Sequence, residues 1–154
     1  MVMGYAAPFV SDMLGVPYAT LDSWVRTSFF IPSIAQAKGR GTRRLYSTFD
    51  VIILKVVTYF KNQGVHNDLL RNLIVEMREH EQKISFGSKE QVLVCNGVDT
   101  FELYKDKYEM IEGMMNGVPL WAIPIGRVKE SMVNELRESN AAIEVQLDMK
   151  VKAG

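Results

Sequence analysis

Metal-binding side chains are scarce: the 154 residues carry one cysteine and two histidines. Cys95 sits in the apolar run QVLVC, and His66 and His80 stand far apart in sequence. No disulfide is expected, and these residues do not make the ligand set of a structural zinc or a thiolate metal sensor. Neither a metal nor a cofactor is therefore expected. Long apolar runs are also missing. Apolar stretches such as VIIL at 51 to 54 and VPLWAIPI at 118 to 125 fall far short of the ~20 residues a membrane helix needs. The start, MVMGYAAPFVSDM, has neither a basic head nor a sustained apolar core, which argues against a secretory signal and for a cytoplasmic chain with no membrane partner. Catalytic spacings are absent too. Asp106, Glu109 and Glu112 share one expected helix, but no opposing base or nucleophile accompanies them, so no enzyme is expected.

What the chain does have is the composition of a globular protein, 47% hydrophobic and 23% charged, with zero net charge. That zero hides an uneven distribution. Residues 1 to 80 hold nine Lys/Arg against six Asp/Glu, and residues 81 to 154 hold nine against twelve. Four of the first nine, Lys38, Arg40, Arg43 and Arg44, fall within seven positions in AKGRGTRRLYS. The local field there is strongly positive whatever the total.

The periodicity predicts two short helices meeting at Gly15, one carrying Val10 and Leu14 and the next, opened by Pro17 at its first position, carrying Leu21 and Trp24. Gly15 can take the positive φ of a tight turn, and small Ser11 lets the helices approach, which is the pattern of a helix-turn-helix. From Ser28 to Tyr46 the helical pattern gives way to a hairpin with a glycine-bearing tip. Ser47 and Asp50 have capping-box spacing ahead of a helix through Val51, Leu54, Val57 and Phe60 to Gly64, and another helix spans about 67 to 80. Beyond Gln82 the segments KISFG, QVLVCNG and TFELY read as short strands. Then follow a short helix closed at Gly117, a buried strand in VPLWAIPIG and an amphipathic helix using Val128, Met132 and Leu136. In AIEVQLDMKVK, Ile143, Val145, Leu147, Met149 and Val151 alternate with polar residues, a strand that must bury its apolar side in its own domain's sheet or against a partner subunit. The expected fold is α+β, with one domain over 1–80 and a second over 83–154.

LGVPYATLDSWVRTSFFIPS followed by GRGTRRLYSTFDVIILKVVTYFKNQGV resembles the DNA-binding domain of the mercury-resistance-regulator (MerR) family, over Tyr5 to about Met77. The second half, through GVPLWAIPIGRVKESM, is similar to the small α+β domain of an actinobacterial-type subgroup. The resemblance implies a homodimeric winged helix-turn-helix that regulates transcription from double-stranded DNA, in the company of RNA polymerase. Its recognition helix would enter the major groove and its wing would lie on phosphates. The sequence departs from the family pattern at Pro17, where a hydroxyl cap is usual, and at Asp22-Ser23, where an Arg-Tyr-like pair is usual. Asp22 repels phosphate, so it either points away from DNA or accepts from a cytosine amino group. The long dimerising coiled coil of the family is missing, because 81 to 89 breaks into Gly and Ser.

A recognition helix reads bases near its N-terminal end, which nominates Tyr18, Ala19, Thr20 and Ser23, with Arg26 for phosphate. Lys38, Arg40, Arg43 and Arg44 are the phosphate contacts expected of the hairpin, and Tyr46 either packs at its base or donates to phosphate. Trp24 reads as core. In the second domain Phe101, Met110, Met114, Met115 and Trp121 are candidates for an apolar effector pocket, although such sets are more often core. Two other readings fit the same residues: an architectural or excisionase-like DNA-bending protein, and a protein-interaction module whose last strand augments a partner's sheet.

Overall fold

A computed structural model of the chain describes residues 2–35, 44–95, 101–114 and 121–145. These form two compact units, one of residues 1–54 with 134–154, the other of residues 55–133.

In the first unit, α1 (Ala7–Leu14) and α2 (Tyr18–Arg26) are joined by Gly15, whose φ of 68° is the left-handed value the turn requires. Ser11 does more than make room. Its hydroxyl donates to the Val16 carbonyl at 2.5 Å while its own carbonyl accepts from the Val16 N–H at 3.1 Å, so the turn is tied from both sides. Pro17 lies at the N-cap of α2 and not at its first helical position. Its φ of −56° and ψ of 140° keep it outside the helix, and its carbonyl accepts from Thr20 and Leu21. Leu21 and Trp24 are buried, with the Trp24 ring 5.2 Å from Phe29.

The hairpin base is two short antiparallel strands, β2 (Ile34–Ala35) and β3 (Arg44–Leu45), with Ile34 opposite Leu45. Its tip, residues 36–43, lies outside the described residues. Tyr46 exchanges two 2.8 Å backbone hydrogen bonds with Tyr5, directly after β1 (Val2–Gly4). On its other side β1 pairs antiparallel with β7 (Ile143–Val145), the beginning of the alternating C-terminal segment. That strand therefore pairs with the N-terminal strand of the chain. Residues 146–154, where the alternation continues, lie outside the described residues.

Helix α3 (Thr48–Asn62) opens on the expected capping box: Ser47 Oγ accepts from the Asp50 N–H at 3.0 Å, and Asp50 Oδ2 accepts from the Ser47 N–H at 2.9 Å. Later residues of α3 belong to the second unit, with α4 (Asn67–Glu79) burying Leu70, Leu73, Ile74 and Met77. His66 caps α4, its ring accepting from the Asp68 N–H, and His80 ends the helix.

The KISFG segment is not a strand. It lies mostly within α5 (Glu81–Ser85), because Ile84 donates back to the His80 carbonyl and buries its side chain completely. The Lys129 ammonium closes this helix, donating to the carbonyls of Ile84, Ser85 and Gly87. The sheet of this unit runs β5 (Phe101–Tyr104), β4 (Val92–Cys95), β6 (Trp121–Ile123), all antiparallel. Helix α6 (Lys107–Gly113) is capped by Asp106, which accepts from the Glu109 N–H, while Glu109 accepts from the Lys105 N–H. That gives two of the three acids on this segment a local structural role. Gly117, the expected stop, lies outside the described residues. The expected strand in VPLWAIPIG ends early. Pro124 breaks it, and Ile125 already opens α7 (Ile125–Ser139), with Met132 and Leu136 buried.

Candidate nucleic-acid interface

Helix α2 buries one side and presents the other. Tyr18, Ala19, Asp22 and Arg26 are exposed, and Thr20 and Ser23 are partly so. Tyr18, Asp22 and Arg26 stand four residues apart and form one row along the outer face. Arg26 Nε donates to Asp22 Oδ2 at 3.1 Å, both side chains being more than half exposed. Asp22 is thus the intrahelical counter-ion of Arg26. The four-residue spacing was the signal for this pair.

A cleft of about 340 Å³ separates α2 from the hairpin base. Tyr18, Leu21, Asp22 and Val25 line one side, and Pro32, Arg44 and Tyr46 are among the residues lining the rest. Arg44 is exposed at the first position of β3. Lys38, Arg40 and Arg43, the other cations nominated on the hairpin, lie outside the described residues. Of the two roles open to Tyr46, the geometry shows packing. The residue is 2% exposed and its ring stacks on Phe30 at 6.3 Å, with the planes 10° apart.

Burial pushes the Tyr46 hydroxyl up to about 12, helped by the negative charge of Asp50 and by Tyr18 and Asp22. A raised value favours the neutral form in the fold, so the associated stability is intact below the ordinary pKa of 10 and is lost as pH rises toward 12. Over that interval the wild type should lose on the order of 1 to 2 kcal/mol, after allowing for solvent screening, that a Tyr46→Phe variant keeps. Urea unfolding of both proteins across the alkaline range checks this, and parallel profiles would refute it.

Asp50 is fully buried, and its role exceeds the capping box. The same Oδ2 that accepts from Ser47 also accepts from the Ser33 N–H at 2.8 Å and the Ser33 hydroxyl at 2.7 Å. One carboxylate therefore ties together the segment entering β2, the segment leaving β3 and the start of α3. Ser33 and Tyr5 escaped the sequence reading. No periodicity marks a serine whose partner is seventeen residues away, or a tyrosine whose contribution is its backbone.

The described residues among those nominated for an effector pocket lie in different places. Phe101 and Trp121 face a common void with Phe60, Leu69, Leu73 and Cys95, but it measures about 10 Å³, room for one water at most. Met110 and Met114 are half-buried on and beside α6 and do not line it, and Met115 lies outside the described residues. A larger cleft of about 380 Å³ in the same unit has Tyr59, Phe60, Trp121, Pro124 and Val128 among its lining residues. Of the nominated residues that are described, only Trp121 lines it. No cluster of metal-ligating side chains occurs among the described residues, and none of their helices is long and apolar enough to cross a membrane.

Residues 8–76 match the model of the MerR HTH family regulatory proteins. The chain is also similar to an uncharacterized HTH-type transcriptional regulator of Mycobacterium bovis and to two from strains of Mycobacterium tuberculosis. Each is 36% identical over 130 residues, which is 84% of this chain and 56% of the relative. The chain thus spans little more than half the length of these relatives. Residues 8–76 form a MerR-family helix-turn-helix domain.

Proposed function

We propose that the protein is a sequence-specific double-stranded-DNA-binding regulator of transcription and not an enzyme. The observation that carries this reading is the exposed outer face of α2, set across a cleft from Arg44 at the base of a cationic hairpin. A helix fits the major groove, where Tyr18, Thr20 and Ser23 offer hydroxyls to base edges and Ala19 an apolar contact for a thymine methyl. The hairpin is the wing, and Lys38, Arg40, Arg43 and Arg44 are its phosphate contacts. Arg26 can join them, since an exposed pair like Arg26–Asp22 is worth about 0.5 kcal/mol and is readily exchanged for a phosphate.

Residues 1–80 serve DNA binding in this reading, and residues 83–154 serve dimerisation, effector sensing or both. A homodimer places two α2 helices on half-sites one helical turn apart. RNA polymerase and a small apolar effector are the further partners of such a regulator.

Selection of bound sites from random duplex DNA tests the proposal. A palindromic consensus is expected, with half-sites whose enrichment falls when Thr20 or Ser23 becomes alanine. Each such loss should reduce the preference for the cognate base by about 1 kcal/mol, the low end of the range for a base contact. Binding without any enriched sequence would instead favour an architectural DNA-bending protein, and no binding at all would end the DNA reading.

A further inference from the structure

The wing base is too short to hold itself. Strands β2 and β3 contribute two residues each, and an isolated two-stranded ribbon is marginal in water, independent stability needing more strands and an apolar face. The chain supplies both. Tyr46 continues β3 into a reciprocal bridge with Tyr5, and Ile34, Leu45 and Ala6 form an apolar cluster beneath. Strand β1 approaches closely enough that a Cβ on Gly4 would stand 2.8 Å from Leu45 Cβ, so only glycine fits there. The outer edge of β1 is then taken by β7, with Val2 opposite Val145, Met3 opposite Glu144 and Gly4 opposite Ile143. Backbone pairing thus passes from the wing through β1 to the C-terminal segment.

The route into β7 is specified locally as well. Asn140 takes a φ of 53° after α7, a left-handed value that asparagine tolerates better than most residues. The Ser139 hydroxyl donates to the Leu136 carbonyl and accepts from the Ala141 N–H, which fixes the turn.

Resting on the DNA reading above, we propose that β7 is a wing-positioning strand, by which the C-terminal segment of this chain sets its affinity for DNA. With β7 paired, β1 is held on both edges and fixes Tyr46, the residue from which the wing departs. With β7 released, the three-residue β1 keeps one edge only and the wing base loosens. Phosphate contacts made by a loosened wing contribute less to binding and to its salt dependence.

The mechanism works through main-chain pairing, so its test separates backbone from side chain. Ile143 is exposed and stands opposite Gly4. Tyr5 directs its N–H and carbonyl to Tyr46, so by strand alternation those of Gly4 face β7 and the Ile143 N–H is a ladder donor. Ile143→Pro removes that donor, whereas Ile143→Ala keeps the backbone and removes the same side chain. On a mixed-sequence duplex, Ile143→Pro should bind about tenfold more weakly, with a log affinity against log salt slope shallower by about 1. Ile143→Ala should match the wild type. Equal affinities and slopes for the proline and alanine variants, with the wild type binding, would overturn the inference alone. A wild type that binds no duplex would overturn the DNA reading beneath it. Should Ile143→Pro fail to fold, amide hydrogen exchange on the wild type decides. Duplex addition should raise protection at 143–145 together with 44–46, and unchanged exchange at 143–145 would overturn the proposal.

Discussion

Replacing Asp50 by alanine is expected to lower the unfolding free energy by about 3 kcal/mol, the largest single effect foreseen for this chain. A fully buried carboxylate that accepts from two backbone N–H groups and one hydroxyl leaves three donors without their partner when it is removed. Each such part-buried donor costs on the order of 1 kcal/mol or more. The loss should be local in character, because the donors lie on the chain entering β2 and leaving β3. Amide exchange at 33–35 and 44–47 should therefore rise more than exchange in α4. Ser33→Ala removes one hydroxyl donor together with its own need for a partner, and should cost about 1 kcal/mol. Urea unfolding measures all of this. An Asp50→Ala variant within 1 kcal/mol or so of the wild type would mean that water replaces the carboxylate without loss.

The double variant Arg40→Ala, Arg43→Ala should bind duplex DNA about 10- to 100-fold more weakly at physiological salt while keeping wild-type stability to within about 0.5 kcal/mol. Each phosphate contact contributes about −0.9 to the slope of log affinity against log salt. Losing two should make that slope shallower by about 2. The slope is the diagnostic quantity, since a change in base readout alters affinity and leaves the count of released counterions unchanged. Fluorescence titration over a range of salt concentrations gives both numbers. An unchanged slope and affinity would remove these arginines from the interface and return the hairpin to a solvated basic loop.

Much of the first unit was legible in the sequence because its signals are local. Gly15 between two apolar helical spacings, Ser47 three residues before Asp50, and the change from helical to hairpin pattern after Ser28 each involve residues within one or two turns of one another. Such patterns follow from helix geometry and capping, which neighbouring residues dictate. The Arg26–Asp22 pair belongs with them. Its four-residue spacing is visible in the sequence, and the pair gives Asp22 a partner on its own helix. The KISFG segment misled for a related reason. Its strand-like composition is outweighed by continuation from His80 and by the Lys129 ammonium on its last carbonyls, and Lys129 comes from a helix more than forty residues later.

By itself the sequence determined that a helix-turn-helix forms, that a hairpin base follows it, and that a strand begins at Ile143. Tertiary structure alone decided where three groups find their partners: Asp50 on Ser33 as well as Ser47, Tyr46 against Phe30 and Tyr5, and β7 on β1. The physical reason is the reach of the interactions. Helix periodicity and caps are satisfied within a few residues. A strand edge or a buried carboxylate can be satisfied by any segment that the folded chain brings within hydrogen-bond distance, and that meeting is settled only when distant parts of the chain pack.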